Sequence, residues 1–294
     1  MDLELFMPFY GDVEHFRRAV LSVVSQNDPL WKLTILDDQY PSDLPESFVA
    51  ELNDSRITYI RNSSNLGVSG NFQKCVELAQ AHFVVIMGCD DLLLEGYVGR
   101  IRQIIEANPN VSYIQPGVLV VDENDNDYLP LGDKVKRRLR DAFAPPSIAQ
   151  GEVLAASLLK GCWTYFPSIA WNTEVLKKFS FRPDFRIVLD LALQLEIIAD
   201  GGKLFIDRTN TFCYRRHRAS VSMESALDGS RFQEENTLFT EFAQVASYLG
   251  WNKASKAAQL HLTSRLNALV ELPSALLGRK FKGAVILLKH VFGK

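Results

Sequence analysis

The sequence predicts an α/β protein: a mostly parallel sheet flanked by helices, followed by a helical C-terminal extension. Three observations carry this expectation. Short apolar runs alternate with helically spaced apolar positions through roughly the first 115 residues, as parallel strands joined by crossover helices require. Acidic, Asn and Gly residues gather just past the ends of those runs, where ligands bind in such sheets. Beyond Ser230 the pattern reads as helical throughout.

Leu3 to Met7 reads as the first strand, stopped by Pro8 and Gly11. Val13, Phe16, Val20, Val23 and Val24 then recur at helical spacing. Leu33 to Leu36 and Arg56 to Ile60 are the second and third strands, the former ending in Asp37 and Asp38. Val68, Phe72, Cys75, Val76 and Ala79 mark a helix, and Phe83 to Met87 a buried fourth strand. A helix through Ile101, Ile104 and Ile105 and a strand from Val111 to Gln115 complete this part.

Residues 122 to 150 are polar, with a dense basic run from Lys134 to Arg140, and read as a mobile or irregular crossing segment. After it come a helix from Gly151, the aromatic stretch CWTYFPSIAW, a helix from Phe185 to Ala199, and strand-like runs at Lys203 to Asp207 and Thr211 to Arg215. This divides the chain into residues 1–225, with a ligand half up to about 120 and a second half from about 150, and a helical region over 226–294.

Composition narrows the function. A formal net charge of −3 gives no support for a nucleic-acid surface. Cys75, Cys89, Cys162 and Cys213 are scattered without CxxC spacing, so neither a zinc site nor a disulfide framework is indicated. They fit a reducing cytoplasm. The opening MDLELFMPFYG lacks the basic start and apolar core of a signal peptide. No stretch reaches the ~20 apolar residues of a membrane-spanning helix.

FVVIMGCDDLLLEG, residues 83 to 96, sets Asp90 and Asp91 side by side at a strand end. Adjacent carboxylates raise the cost of ionising each other. One Asp suffices to start a turn or cap a helix; a second suggests a cation that neutralises both. Asp37, Asp38, Asn65 and Gly67 lie at neighbouring strand ends, so a site built from separate loops is expected there.

The order of these motifs resembles that of family 2 glycosyltransferases, which have the GT-A fold. The resemblance covers roughly the first 220 residues: LFMPFYG, SVVSQ, LTILDDQ, NLGVSGN, IMGCDDLL and CYRRHRASVS follow one another in the family's order. It implies a hexosyltransferase-type enzyme that uses a nucleotide sugar and Mg²⁺ or Mn²⁺. Asp90 and Asp91 would hold the metal, with His217 as a further ligand, and Asp90 would border the nucleotide diphosphate. Family members usually carry another Asp two residues before this pair, where this chain has Gly88.

For the nucleotide, the resemblance points to Pro8, Phe9 and Tyr10 at the first turn, and to Asn65, Gly67 and Asn71. Phe9 and Tyr10 either border the base or pack in the core. Asp38 is the family's choice to accept the imide N–H of uracil or thymine, a donor that cytosine lacks; Asp37 serves there or forms the turn. Glycines at 67 and 70 allow close approach at a helix N-terminus, and Arg215 and Arg216 suit a diphosphate. The expected donor is therefore a UDP- or dTDP-sugar, and the acceptor a saccharide or lipid-linked saccharide in cell-surface glycan synthesis.

Inversion needs a base for the acceptor hydroxyl. In FRIVLDLALQLEIIADGG that residue is Asp190, although one alignment puts Val188 at the base's place and leaves Asp190 structural. Two other functions were weighed. A sugar-nucleotide nucleotidyltransferase would open with a glycine-rich loop and a lysine, which MPFYGDVEHF lacks. A phospho-receiver module would need its acidic pair on the first strand. Finally, LLGRKFKGAVILLKHVFGK places 281, 284, 285, 288, 291 and 292 on one helical face among basic residues. Two readings stand: a helix lying peripherally at the inner membrane face, or one packed on its own domain or a second subunit.

Overall fold

A computed structural model describes residues 3–143, 148–216 and 221–293. The strands are β1 (Leu3–Phe9), β2 (Trp31–Asp37), β3 (Ile57–Arg61), β4 (Phe83–Ile86), β5 (Leu92–Leu93), β6 (Tyr113–Val121), β7 (Ile148–Gln150), β8 (Ala170–Asn172) and β9 (Lys203–Arg215). They form one sheet of order β3-β2-β1-β4-β8-β6-β9-β5, with β7 added on β9. From β3 to β4 every pairing is parallel, joined by helices Val13–Val24, Leu44–Leu52 and Gly67–Leu78.

Beyond β4 the sheet is mixed. β8 inserts antiparallel between β4 and β6, β6 and β9 run parallel, and β5 and β7 lie antiparallel on β9. The expectation of a mostly parallel sheet therefore holds for the first half only. β5, β7 and β8 are two or three residues long, too short for periodicity to reveal their pairing. The two expected late strands are one, β9, bulged in its middle. A Cβ at Gly117 would meet the Arg208 carbonyl oxygen at 2.7 Å, so only glycine lets β6 run past that bulge.

Strand side chains alternate between two cores, as the period of two requires. Leu5, Met7 and Phe9 of β1 join Val85 and the helices Val13–Val24 and Tyr97–Ala107 on one face. Phe6, Val84 and Ile86 join the other cluster, built around Trp163, Trp171 and the helices Gly151–Lys160 and Leu189–Ala199. Leu238, Phe239 and Phe242 of the Ser230–Tyr248 helix enter this second cluster.

The segment expected to be irregular contains a helix, Leu131–Asp141. Its inward positions are polar: Asp133 is buried, and Lys136 and Arg140 follow at spacings of three and four. A helix anchored by charges leaves no apolar stripe to read. The C-terminal part continues with helices Val221–Asp228, Asn252–Leu260, Leu262–Leu277 and Phe281–Phe292. No helix among the described residues is long and apolar enough to cross a membrane.

Candidate active site

The C-terminal ends of β1, β2, β4, β6 and β9 converge through the register of the sheet. Phe9 lies opposite Asp37, Val121 opposite Arg215, and Leu92, directly after Asp91, opposite Cys213. At the end of β2 both acidic residues are supplied with donors. Asp37 accepts from the Tyr40 N–H at 2.7 Å and the Tyr59 hydroxyl at 2.8 Å, with the Arg61 Nε at 3.5 Å. That is the turn-forming role, on a fully buried carboxylate.

Asp38 does similar work for the next helix. Its Oδ1 accepts from Asn62 Nδ2 at 2.8 Å and the Leu66 N–H at 2.7 Å, and its Oδ2 from the Gly67 N–H at 2.8 Å. Asn65 closes the loop by donating to the Asp38 carbonyl at 2.9 Å. Gly67 sits at φ +69°, and a Cβ there would meet nothing within 4 Å. Open space therefore lies beside Gly67, and the Asp38 Oδ2 that accepts from it has one donor where Oδ1 has two.

The four expected nucleotide contacts Pro8, Phe9, Tyr10 and Asn71 differ in where they point. Tyr10 is 58% exposed at the end of β1, its ring edge-on to Tyr40. Phe9 instead is fully buried, 4.4 Å from the Phe16 ring centroid and 4.9 Å from that of Tyr40; strand alternation turns it into the core. Asn71 is buried too, donating to the Leu36 carbonyl at 3.0 Å and accepting from Asn62 at 3.1 Å. It is a tether between helix and sheet rather than a ligand contact. Pro8 is half-buried within β1, opposite Leu36.

The pair after β4 is built differently. Asp91 is 1% exposed; its Oδ1 accepts from the Arg215 N–H at 3.0 Å, while its Oδ2 is buried and has no hydrogen-bond partner. Burial, reinforced by the charge of Asp90, holds the Asp91 carboxyl well above its ordinary value. A Cβ on Gly88 would lie 2.6 Å from Asp91 Oδ2 and 2.7 Å from Asp90 Oδ1. Two carboxylate oxygens thus converge on one point, and the glycine leaves room for that convergence. An orphaned buried oxygen beside a second carboxylate fits a hard divalent cation. Among the described residues Asp90 and Asp91 are the acidic donors there, and no cluster of three or more His, Cys, Asp or Glu ligands forms. His217 lies outside the described residues.

Arg215 is buried and ties loops together. Its Nε donates to the Asp90 carbonyl at 2.9 Å, and its Nη1 pairs with Asp125 at 2.6 Å. Asp125 also pairs with Arg18; burial pushes its carboxyl up, but the two arginines outweigh it and hold it low. Arg216 makes a forked pair with buried Asp133, at 3.1 and 2.8 Å, and Asp133 accepts from the Tyr165 hydroxyl at 2.7 Å. Both expected diphosphate arginines therefore face carboxylates of the segment 125–133.

Asp190 occupies the first turn of the Leu189–Ala199 helix. Its N-cap, Val188, has no side-chain cap; the turn leading into the helix is held by Glu234, which accepts from the N–H groups of Arg186, Ile187 and Val188 at 3.1, 2.8 and 3.3 Å. Val188 is buried. Burial pushes the Asp190 carboxyl above its ordinary value against the pull of Lys136. Cys162 Sγ lies 3.9 Å from its Oδ2, and burial with Asp190's charge pushes that thiol up to about 11. Lys136 lies over the Tyr165 ring, 4.6 Å from its centroid, and is held low by burial. It also feels Asp133, Arg216 and Asp190, so Asp190 and Arg216 border one polar region. Next to it a cavity of about 270 Å³ is lined by Asp133, Lys136, Arg140, Trp163, Tyr165 and others.

Comparison with known proteins decides the family. The family model for glycosyl transferase family 2 matches residues 4–153, half of the chain. The chain belongs to glycosyltransferase family 2. An uncharacterized glycosyltransferase of Methanocaldococcus jannaschii is 22% identical over 216 residues, covering 72% of this chain and 70% of the relative. A colanic acid biosynthesis glycosyl transferase of Escherichia coli, WcaA, is 32% identical over 90 residues, 30% of this chain and 32% of that protein.

Solved structures agree on the fold. Staphylococcus aureus TarS (residues 1–349), solved with UDP-GlcNAc, superposes with a TM-score of 0.64 at 12% identity, over 100% of this chain and 93% of that one. The mannosyltransferase PcManGT of Pyrobaculum calidifontis, solved with GDP-Man and Mn²⁺, gives 0.59 at 16% identity, over 99% and 86%. This glycosyltransferase therefore has the GT-A architecture and is a transferase enzyme; the nucleotidyltransferase and phospho-receiver readings fall away. Sequence reasoning missed Asp133, Lys136, Tyr165 and Glu234. The signal for the first two was their spacing of three residues in a segment otherwise read as a mobile or irregular crossing.

Proposed function

We propose that this glycosyltransferase moves a sugar from a UDP- or dTDP-sugar to a hydroxyl of a saccharide or lipid-linked saccharide, with inversion, in polysaccharide synthesis. The observation that carries the donor half is the buried, unpartnered Asp91 Oδ2 converging with Asp90 on the space left by Gly88. Asp90 and Asp91 would hold Mg²⁺ or Mn²⁺, which when bound supplies Lewis-acid neutralisation of the departing diphosphate. Arg216 holds the diphosphate in exchange for the Asp133 carboxylate, two anions competing for one guanidinium fork. Arg215 keeps the loop carrying the acidic pair in place.

Asp190 takes the proton from the acceptor hydroxyl. Its raised carboxyl pKa makes it a stronger base once ionised, and Glu234 fixes the turn that leads into its helix. The polysaccharide setting rests on the colanic acid relative. One fold neighbour is solved with UDP-GlcNAc and another with GDP-Man, so the fold alone does not choose the base. The choice falls to Asp38, whose Oδ2 accepts an imide N–H, with Tyr10 bordering the ring. Competition binding with UDP, dTDP, CDP and GDP in the presence of Mn²⁺ tests this. Uracil and thymine diphosphates are expected to win by about tenfold or more, since their imide N–H adds a charge-assisted hydrogen bond to the Asp38 carboxylate. Equal affinities would remove Asp38 from base recognition.

A further inference from the structure

The last two helices carry an apolar face that the fold does not use. In Phe281–Phe292 the buried positions are Gly283, Ala284, Leu287 and His290. Phe281, Val285, Leu288 and Phe292 are exposed. Their spacing of four, three and four places them on a single stripe opposite the buried face. The six positions that the sequence suggested as one face are thus divided between two faces, one inward and one outward.

Leu262–Leu277 repeats the arrangement. Ser264, Ala268 and Ala275 are buried, whereas Leu262, Leu266, Leu269 and Leu277 are exposed. The two helices pack on each other, and both lie against the Val221–Asp228 and Ser230–Tyr248 helices. Their outward stripes therefore face away from the same layer. Leu277 and Phe292 are 87% and 71% exposed. Exposed apolar surface of this extent on adjacent helices marks an interaction site.

Charge identifies the occupant. Residues 262–294 hold six Lys or Arg and one acid, Glu271, in a chain whose net charge is −3. Arg279, Lys280 and Lys282 cluster at the turn between the helices, and Lys289 lies among the stripe positions of the second. A second copy meeting this face would set cations against cations with only Glu271 to offset them. An anionic surface is complementary to Arg279, Lys280, Lys282 and Lys289. We propose that the Leu262–Leu277 and Phe281–Phe292 pair is a docking face for a bilayer with anionic headgroups, its leucines and phenylalanines entering the interface and its Lys and Arg meeting lipid phosphates.

The test is sedimentation of the full chain with vesicles of phosphatidylcholine alone or with about one-third phosphatidylglycerol. The expected result is strong partitioning into the anionic vesicles, weakened by salt and much lower on neutral ones. Lys280→Gln with Lys282→Gln should lower it about fivefold for each charge removed. Leu277→Ser with Phe292→Ser should lower it on both vesicle types. Circular dichroism and melting temperature should stay at wild-type values, because these side chains are exposed. Failure to partition into anionic vesicles at low salt overturns the proposal. So does a concentration-dependent dimer, by light scattering, that the apolar double variant dissociates without any lipid binding.

Discussion

The two acidic dipeptides of this glycosyltransferase look alike in sequence and differ in what surrounds them. Asp37 and Asp38 receive hydrogen bonds from Tyr40, Tyr59, Asn62, Leu66 and Gly67. Asp91 is as deeply buried but keeps an oxygen with no partner, and its carboxyl is pushed up by burial and by Asp90. A buried carboxylate supplied with donors needs no cation. One left without them stores unfavourable energy that a ligand can relieve, as strained functional groups commonly do.

The largest effect expected concerns a partly buried carboxylate outside both pairs, Asp190. Asp190→Asn should lower the transfer rate by about 10²–10⁴-fold, the usual contribution of a general base, while donor affinity stays close to wild type. A transfer assay beside a donor titration checks both. A near wild-type rate would make Asp190 structural, and a joint collapse of binding and melting temperature would show that it holds the helix start. Next, stability should separate the two pairs. Asp37→Ala strands two buried donors and should destabilise by about 2–3 kcal/mol. Asp91→Asn removes an unpaired buried charge and should leave the metal-free melting temperature unchanged or raised. Equal losses in both variants would erase the distinction.

The smallest effect lies far from the site, where burial acts on a base rather than an acid. His290 is held down to about 4 by burial and by the charges of His261 and Arg265, against the opposing pull of Glu235, and its Nε2 lies 2.6 Å from Ser264 Oγ. A folded-state pKa below the unfolded value of about 6.5 gives stability that is present above 6.5 and lost as pH falls toward 4. The melting temperature should therefore decline over that window, and less so in His290→Gln. A flat profile would place the imidazole in water.

The sequence made the parallel half legible because β1 to β4 alternate cleanly and their ends carry unusual polar pairs. It made the late half less legible for physical reasons. β7 and β8 are three residues each, and Leu131–Asp141 is anchored by Asp133 and Lys136 rather than by an apolar stripe. In the site, residue type alone did not separate Phe9 and Asn71, which face inward, from Tyr10 and Asn65, which lie in the open loops. Only alternation along β1 and the hydrogen bonds of Asn71 did so. Glu234 holding the turn before the Asp190 helix from 46 residues or more away was beyond any local pattern.

The most direct test of the contrast between the pairs is calorimetric titration of UDP into wild type and Asp91→Ala, each with Mn²⁺ and with chelator. The account predicts binding to wild type only when the metal is present, and none to Asp91→Ala in either condition. Full-strength binding in chelator, or undiminished metal-dependent binding to Asp91→Ala, would contradict the assignment of the β4 pair as the cation and diphosphate site.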